Sequence, residues 1–189
     1  MPNLKHHMKN QNTIKIVAIC AILTWTTASF PHVVLQDQAA LANTSYRATL
    51  RVGHGCDGSP VTALKITIPA GFKGAKPMPK AGWVLSTKVG KLDQPFDDHG
   101  KQITEGLLEV TWTASSKDYW LQDAWYDEFV LRGGLPGEAG PMWFKVLQTC
   151  EKGSIDWAEV PASGTSTKGL KAPAALLEII PSDRAGHPH

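Results

Sequence analysis

Residues 45–52 read Ser45-Tyr46-Arg47-Ala48-Thr49-Leu50-Arg51-Val52, a stretch in which apolar and polar side chains alternate. A period of two is typical of a strand that buries one face. Seven further short segments have strand-like composition and are separated by turns rich in Gly and Pro: 63–68, 82–86, 107–112, 126–131, 142–147, 155–160 and 176–180. The pattern predicts an all-β fold, an antiparallel β-sandwich of the immunoglobulin-like, Greek-key type.

The overall composition is that of an ordinary globular protein. Of its 189 residues, 42% are hydrophobic and 19% are charged, which argues against a disordered chain, a coiled coil or a collagen-like repeat. The net charge of +2 gives no support to nucleic-acid binding. The motifs of P-loop proteins, serine hydrolases and zinc proteases are absent from the sequence, so we expect a binding protein rather than an enzyme.

The first 31 residues have the three parts of a secretory signal. Three lysines and no carboxylate accompany an apolar run at 16–25, which small residues follow. This run is too short to cross a bilayer of roughly 30 Å, and no later stretch is a candidate membrane span. We therefore expect an exported, periplasmic protein with no membrane span. Small residues favour cleavage after Ala28 or Ser29.

The predicted organisation has three parts: a signal peptide at 1–31, one β-sandwich domain at 32–181 and a flexible tail at 182–189. Within the domain, residues 161–174 are expected to form a surface loop. Of the 19 Lys and Arg residues, three lysines lie in the signal, which leaves 16 basic against 17 acidic residues after export. The apparent basicity of the chain therefore belongs to its targeting segment.

The cysteines are Cys20, Cys56 and Cys150. Because Cys20 leaves with the signal, an even pair remains in an oxidising compartment, which favours one Cys56–Cys150 disulfide. The alternative is a metal site formed by Cys56 with His54. A disulfide sulfur is a poor metal ligand, so the structural role is favoured.

The histidines include one candidate for an N-terminal metal site. If His32 became the first residue, its α-amine and imidazole Nδ1 would chelate one Cu(II) ion, which suits nitrogen donors in a tetragonal arrangement. The alternative is that His32 simply begins the first strand. His54 is expected to be structural, His99 to lie in a solvated loop, and the pair at 187 and 189 to belong to the tail.

Asp127 and Glu128 form the most prominent carboxylate pair in a predicted strand. Strand alternation places them on opposite faces, so only one can line a given site. Four tryptophans are expected in the core: Trp83, Trp112, Trp143 and Trp157. Trp120 and Trp125 are candidates for an exposed aromatic platform.

Several motifs in order resemble the YcnI-like (DUF1775) family of exported copper-binding proteins. The likeness extends over roughly residues 32–161, nearly the whole predicted domain. It is carried by five segments: His54-Gly55-Cys56-Asp57-Gly58-Ser59-Pro60, Ile68-Pro69-Ala70-Gly71-Phe72, Lys76-Pro77-Met78-Pro79-Lys80-Ala81-Gly82-Trp83, Trp125-Tyr126-Asp127-Glu128-Phe129-Val130-Leu131-Arg132-Gly133, and Gln148-Thr149-Cys150-Glu151 leading to Trp157.

The resemblance implies a β-sandwich that holds Cu(II) at an N-terminal histidine brace for copper delivery, buffering or homeostasis. Carried over by motif, the brace falls on His32, the carboxylate on Glu128 and a nearby tryptophan on Trp157. A periplasmic copper chaperone or a membrane copper transporter is the implied partner. Two positions depart from the pattern: Pro31 precedes the histidine, and Gln36 stands where relatives often carry Glu.

Two other functions compete with copper binding. One is an extracytoplasmic module that engages a protein or a glycan through Trp120 and Trp125. The other is an oxidase with a histidine brace, which needs a second histidine. Because no motif places His54 or His99 beside His32, that chemistry is disfavoured.

Overall fold

The computed structural model describes residues 32–182, which form strands joined by turns and one short 3-10 helix at Lys117–Tyr119. The predicted signal peptide with Cys20, and the histidines at 187 and 189, lie outside the described residues. The strands are β1 (Val34–Leu35), β2 (Ala39–Leu41), β3 (Ser45–Val52), β4 (Val61–Thr67), β5 (Lys73–Pro77), β6 (Trp83–Asp98), β7 (Lys101–Ala114), β8 (Asp127–Gly134), β9 (Gly140–Cys150), β10 (Ser154–Trp157) and β11 (Ala175–Ile180).

The strands form two sheets that pack face to face. The smaller sheet has the order β1-β3-β8-β5. The larger has the order β2-β11-β9-β4-β7-β6, with β10 paired to β9 beside β11. Neighbouring strands are antiparallel except β2 and β11, which run parallel. This architecture confirms the predicted β-sandwich.

The core lies between the inner faces of the two sheets and follows the strand alternation. In β3, Tyr46, Ala48, Leu50 and Val52 are buried, as their spacing predicts. The ring of Phe129 packs edge-on against two tryptophans, with ring centroids 5.0 Å from Trp83 and 5.7 Å from Trp112. Trp157 is also buried, whereas Trp143 is half-buried on the outward side of β9, contrary to the expectation for a core residue.

The longest hairpin exceeds its predicted length. Strands β6 and β7 cover 83–98 and 101–114, whereas the sequence pattern indicated only 82–86 and 107–112. Beyond the core both faces of the hairpin are largely solvated, and Val89 is 65% exposed, so the hydrophobic alternation fades although the pairing continues. The short strands β1, β2 and β5 carry too few residues to give a periodic signal.

A disulfide joins Cys56, in the turn after β3, to Cys150 at the end of β9, with 6.0 Å between their Cα atoms. This confirms the predicted pairing and excludes Cys56 as a free thiolate ligand. Within residues 32–182 there is no helix of the length and apolarity needed to span a membrane.

Candidate functional site

The sheet order brings several predicted site residues to one end of the smaller sheet. Strands β1 and β8 flank β3 and both run antiparallel to it, so they begin at the same end. His32 lies two residues before β1, and Glu128 is the second residue of β8. Strand β3 ends there at Val52, just before His54.

Trp157, at the end of β10, is the centre of an aromatic cluster. The half-buried ring of His32 lies against it, with ring centroids 5.5 Å apart and planes tilted by 56°. The imidazole of His54 meets the same indole edge-on at 6.1 Å. The two imidazoles therefore contact one buried indole, and the structure brings together His32 and Trp157 although 125 positions separate them in the sequence.

The indole is held in place by Gln148, a buried polar residue that sequence reasoning missed. Trp157 Nε1 donates to Gln148 Oε1 at 2.9 Å, and Gln148 Nε2 donates to the carbonyl oxygen of His54 at 2.8 Å. The signal for this role is present in β9, where Gln148 occupies an inward position among apolar residues. The inward positions of that strand are Met142, Phe144, Val146, Gln148 and Cys150.

The turn that follows His54 holds this residue in place. The backbone N–H of Gly55 donates to Asp123 Oδ1 at 2.9 Å. A Cβ atom at Gly55 would lie 1.9 Å from the carbonyl oxygen of Ser59, so only glycine fits. Cys56 and Ser59 exchange two backbone hydrogen bonds of 2.9 Å, and the disulfide then ties the turn to β9.

Glu128 lies in the sheet row that begins at Val34 and passes through Arg51. Two strand spacings separate Val34 from Glu128, which corresponds to ~10 Å between their Cα atoms. The carboxylate of Glu128 accepts a hydrogen bond from the Tyr126 hydroxyl, and this bond raises the pKa of Tyr126. Arg51 Cζ lies 5.4 Å from the centroid of the Tyr126 ring.

Asp127 is engaged separately, as expected from strand alternation. Its Oδ1 accepts a hydrogen bond from Lys80 Nζ at 2.7 Å. Lys80 Nζ also donates to the Glu128 carbonyl oxygen at 3.3 Å. Asp127 therefore anchors the start of β8, and Glu128 is the carboxylate whose side chain remains on the outer face of the sheet.

The donor set can be compared with what Cu(II) requires. Among residues 32–182, no three side chains of His, Cys, Asp and Glu form a cluster placed to hold a metal ion. A brace built on a single histidine would need no such cluster, because both of its nitrogen atoms would come from one N-terminal residue. His32 has suitable chemistry for this, and Trp157 covers one side of its ring.

The other candidate residues lie apart from this cluster. The side chain of His99 is 98% exposed, in the turn between β6 and β7. Trp125 is 59% exposed, whereas Trp120 is half-buried with Lys117 Nζ 5.1 Å from its ring centroid. Of the proposed aromatic platform, only Trp125 is freely exposed.

A family model described as "Domain of unknown function (DUF1775)" matches residues 32–179. The chain belongs to the DUF1775 family. This confirms the resemblance of the sequence motifs to DUF1775, and the matched range begins at His32. No curated protein matches the chain.

This DUF1775 protein also resembles a solved structure. The crystal structure of an uncharacterized protein from Nocardia farcinica, described as revealing an immunoglobulin-like fold, aligns with a TM-score of 0.59 and 25% sequence identity. The alignment covers 78% of this chain and 97% of that one. The comparison supports the immunoglobulin-like sandwich deduced from the strand pattern.

Proposed function

We propose that this protein binds one Cu(II) ion as cargo at an N-terminal histidine site and holds it for delivery or buffering, without turnover. The observation that carries the proposal is the contact between His32, where the family match begins, and the buried indole of Trp157. A periplasmic copper chaperone or a membrane copper transporter would supply or receive the ion.

The chemistry of His32 favours Cu(II) once this residue is the first of the chain. Its α-amine and its imidazole Nδ1 then close a six-membered chelate ring, and both are nitrogen donors of the kind that Cu(II) prefers. If Pro31 remains attached, the amine becomes a tertiary amide and this chelate is lost. Processing to His32 is therefore part of the proposal.

Glu128 and Trp157 complete the proposed site. Glu128 lies at the same end of the smaller sheet as His32. Its carboxylate would contribute a negative charge to the site after it moves away from Tyr126. Trp157 would shield the metal on the side of the core, since only 2% of its surface is exposed.

An exported location forms part of the same proposal. The disulfide links residues 94 positions apart in the sequence. Such bonds form and persist in oxidising compartments outside the cytoplasm. The basic and apolar leader at 1–31 agrees with export through a secretory signal.

The experiment compares two forms of the protein, one beginning at His32 and one beginning at Phe30. Each is mixed with one equivalent of Cu(II) and examined by native mass spectrometry and electron paramagnetic resonance. We expect one retained copper with nitrogen hyperfine structure in the first form only. In that form His32→Ala and Glu128→Gln should weaken binding, whereas the exposed control His99→Ala should not. Equal retention by both forms would contradict the N-terminal brace.

A second candidate function rests on the exposure of Trp125. An exposed indole is suited to stacking against a sugar or a partner protein. If the protein is a binding module of this kind, its copper-free form should bind a glycan array or an isolated partner. Trp125→Ala or Trp120→Ala should then abolish binding that chelation leaves unchanged.

A further inference from the structure

Three cations lie in one row across the smaller sheet. Lys76 of β5 lies opposite Arg132 of β8, and Arg132 lies opposite Arg47 of β3. The three side chains are exposed, and the row from Lys76 to Arg47, called here the cation row, is ~10 Å long between Cα atoms. Like charges directly opposite one another destabilise a sheet. A negatively charged group from another molecule would therefore stabilise the cation row.

The described part of the chain supplies little of that counter-charge. The ion pairs found within residues 32–182 involve Lys65, Lys80, Lys88 and His99, and none involves the cation row. Arg132 Nη2 donates to the hydroxyl of Ser45 at 3.3 Å, which is a neutral partner. A carboxylate, Asp98, shares a neighbouring cleft with Lys76 and Arg132, and its Oδ1 lies 3.8 Å from His99 Nε2.

The sequence outside the described residues adds no acidic segment. Residues 1–31 carry three lysines and no carboxylate, and residues 183–189 carry one Asp and one Arg. Residues 32–189 contain 16 basic and 17 acidic side chains, since three of the 19 Lys and Arg precede them. The cation row is thus a local concentration of charge on a nearly neutral protein rather than the result of a general excess of basic residues.

An apolar groove of about 500 Å³ lies against the cation row. It is lined by Met78, Pro79 and Val130 together with the three cations. Met78 is 48% exposed, and methionine is an adaptable surface for apolar side chains. A concave apolar lining with a few convergent charges is typical of a ligand site.

The dimensions of this surface favour an extended peptide over other anions. Side chains that point to one face of an extended segment are spaced by roughly 7 Å, so two carboxylates separated by one residue fit along the cation row. Met78 follows Lys76 by two residues and lines the same groove, so an apolar surface lies next to one end of the cation row. A single phosphate would engage only part of the row, and a flat lipid surface would not fill a concave groove.

We propose that the cation row and the groove bind an acidic, extended segment of a partner protein, with two carboxylates separated by one residue and followed by an apolar side chain. The carboxylates pair with Arg47, Arg132 and Lys76, and the apolar side chain contacts Met78. This surface is distinct from the His32 cluster, and its binding does not depend on copper.

The experiment uses the exported protein, free of copper, and a fluorescein-labelled peptide of sequence Ser-Glu-Ser-Glu-Ser-Leu-Ser. Fluorescence anisotropy at low salt should show saturable binding. The double variant Lys76→Gln with Arg132→Gln should weaken it about tenfold, because two charged contacts are removed. The control Lys152→Gln with Lys168→Gln removes the same charge from exposed positions elsewhere and should bind like the parent protein.

Further measurements separate this proposal from its competitors. Thermal unfolding should show the Lys76 and Arg132 double variant to be at least as stable as the parent, since like-charge repulsion is relieved. Met78→Ser, or replacement of the peptide's Leu by Ser, should also weaken binding.

Equal loss of binding in both double variants would overturn the proposal, because it would show an effect of net charge alone. Equally tight binding of oligothymidylate, or of phosphatidylserine vesicles, would overturn it in favour of a general polyanion or a membrane.

Discussion

Trp157 Nε1 and Gln148 Oε1 are joined by a 2.9 Å hydrogen bond between two buried side chains. The same Gln148 donates through Nε2 to the carbonyl oxygen of His54. One amide therefore links the indole beside His32 to the segment after β3. A side chain of β9 therefore holds Trp157 in addition to the backbone pairing between β9 and β10.

Gln148→Leu should lower the free energy of unfolding by about 2–3 kcal/mol, because the buried indole N–H of Trp157 loses its acceptor. Urea unfolding followed by circular dichroism measures the change. The exposed Gln102→Leu is the matched control and should alter stability by less than about 0.5 kcal/mol. Equal effects of the two substitutions would show that the Gln148 hydrogen bonds contribute nothing specific.

Replacement of both Cys56 and Cys150 by Ser should lower the free energy of unfolding by about 4–5 kcal/mol, as expected for a long closed loop. The substitution should also loosen the turn that carries His54, since the disulfide ties it to β9. Denaturant unfolding reports the stability. Hydrogen exchange of the backbone amides of Gly55 and Cys56 reports the turn, and unchanged protection there would contradict its dependence on the disulfide.

Tyr126→Phe and Glu128→Gln should change copper affinity in opposite directions. The hydroxyl of Tyr126 holds the Glu128 carboxylate, so its removal frees the carboxylate and should tighten copper binding about two- to tenfold. Glu128→Gln should weaken binding because the negative charge is lost. Competition titrations with a chelator, using protein that begins at His32, measure both. No change in either variant would remove Glu128 from the proposed ligand set.

Trp157→Phe should retain copper but reduce the quenching of tryptophan fluorescence that Cu(II) causes. The Trp157 ring lies 5.5 Å from that of His32, so we expect a metal bound there to quench its emission strongly. Trp143→Phe serves as the control, since this residue lies half-buried on the outward side of β9. If quenching persists in Trp157→Phe and falls in Trp143→Phe, copper binds elsewhere.

The strand alternation in the sequence was sufficient to predict the sandwich and much of its core. In β3 the apolar residues of the alternating pattern, from Tyr46 to Val52, all have buried side chains. The disulfide also followed from the number of cysteines and the expected compartment. Trp143 was wrongly assigned to the core. In β9 the inward-facing side chains are those of its neighbours Met142 and Phe144, so Trp143 faces outward. The long β6–β7 hairpin was underestimated because its solvated faces carry no alternating pattern.

The candidate site was only partly visible in the sequence. Family motifs indicated His32, Glu128 and Trp157, but no motif assigned a role to Gln148 or placed His54 against the same indole. The cation row was likewise invisible, since Arg47, Lys76 and Arg132 lie on three strands that the linear sequence separates.

The sequence by itself determined most of the side chains that face inward, the cysteines that pair and the family that the motifs resemble, because these depend on local periodicity, cysteine number and residue type. Only the tertiary structure decided the register between strands. That register places Glu128 in the row of Val34 and Arg51 and aligns three cations across one sheet. Backbone hydrogen bonds between strands distant in the chain fix these relationships, and local sequence carries no record of them.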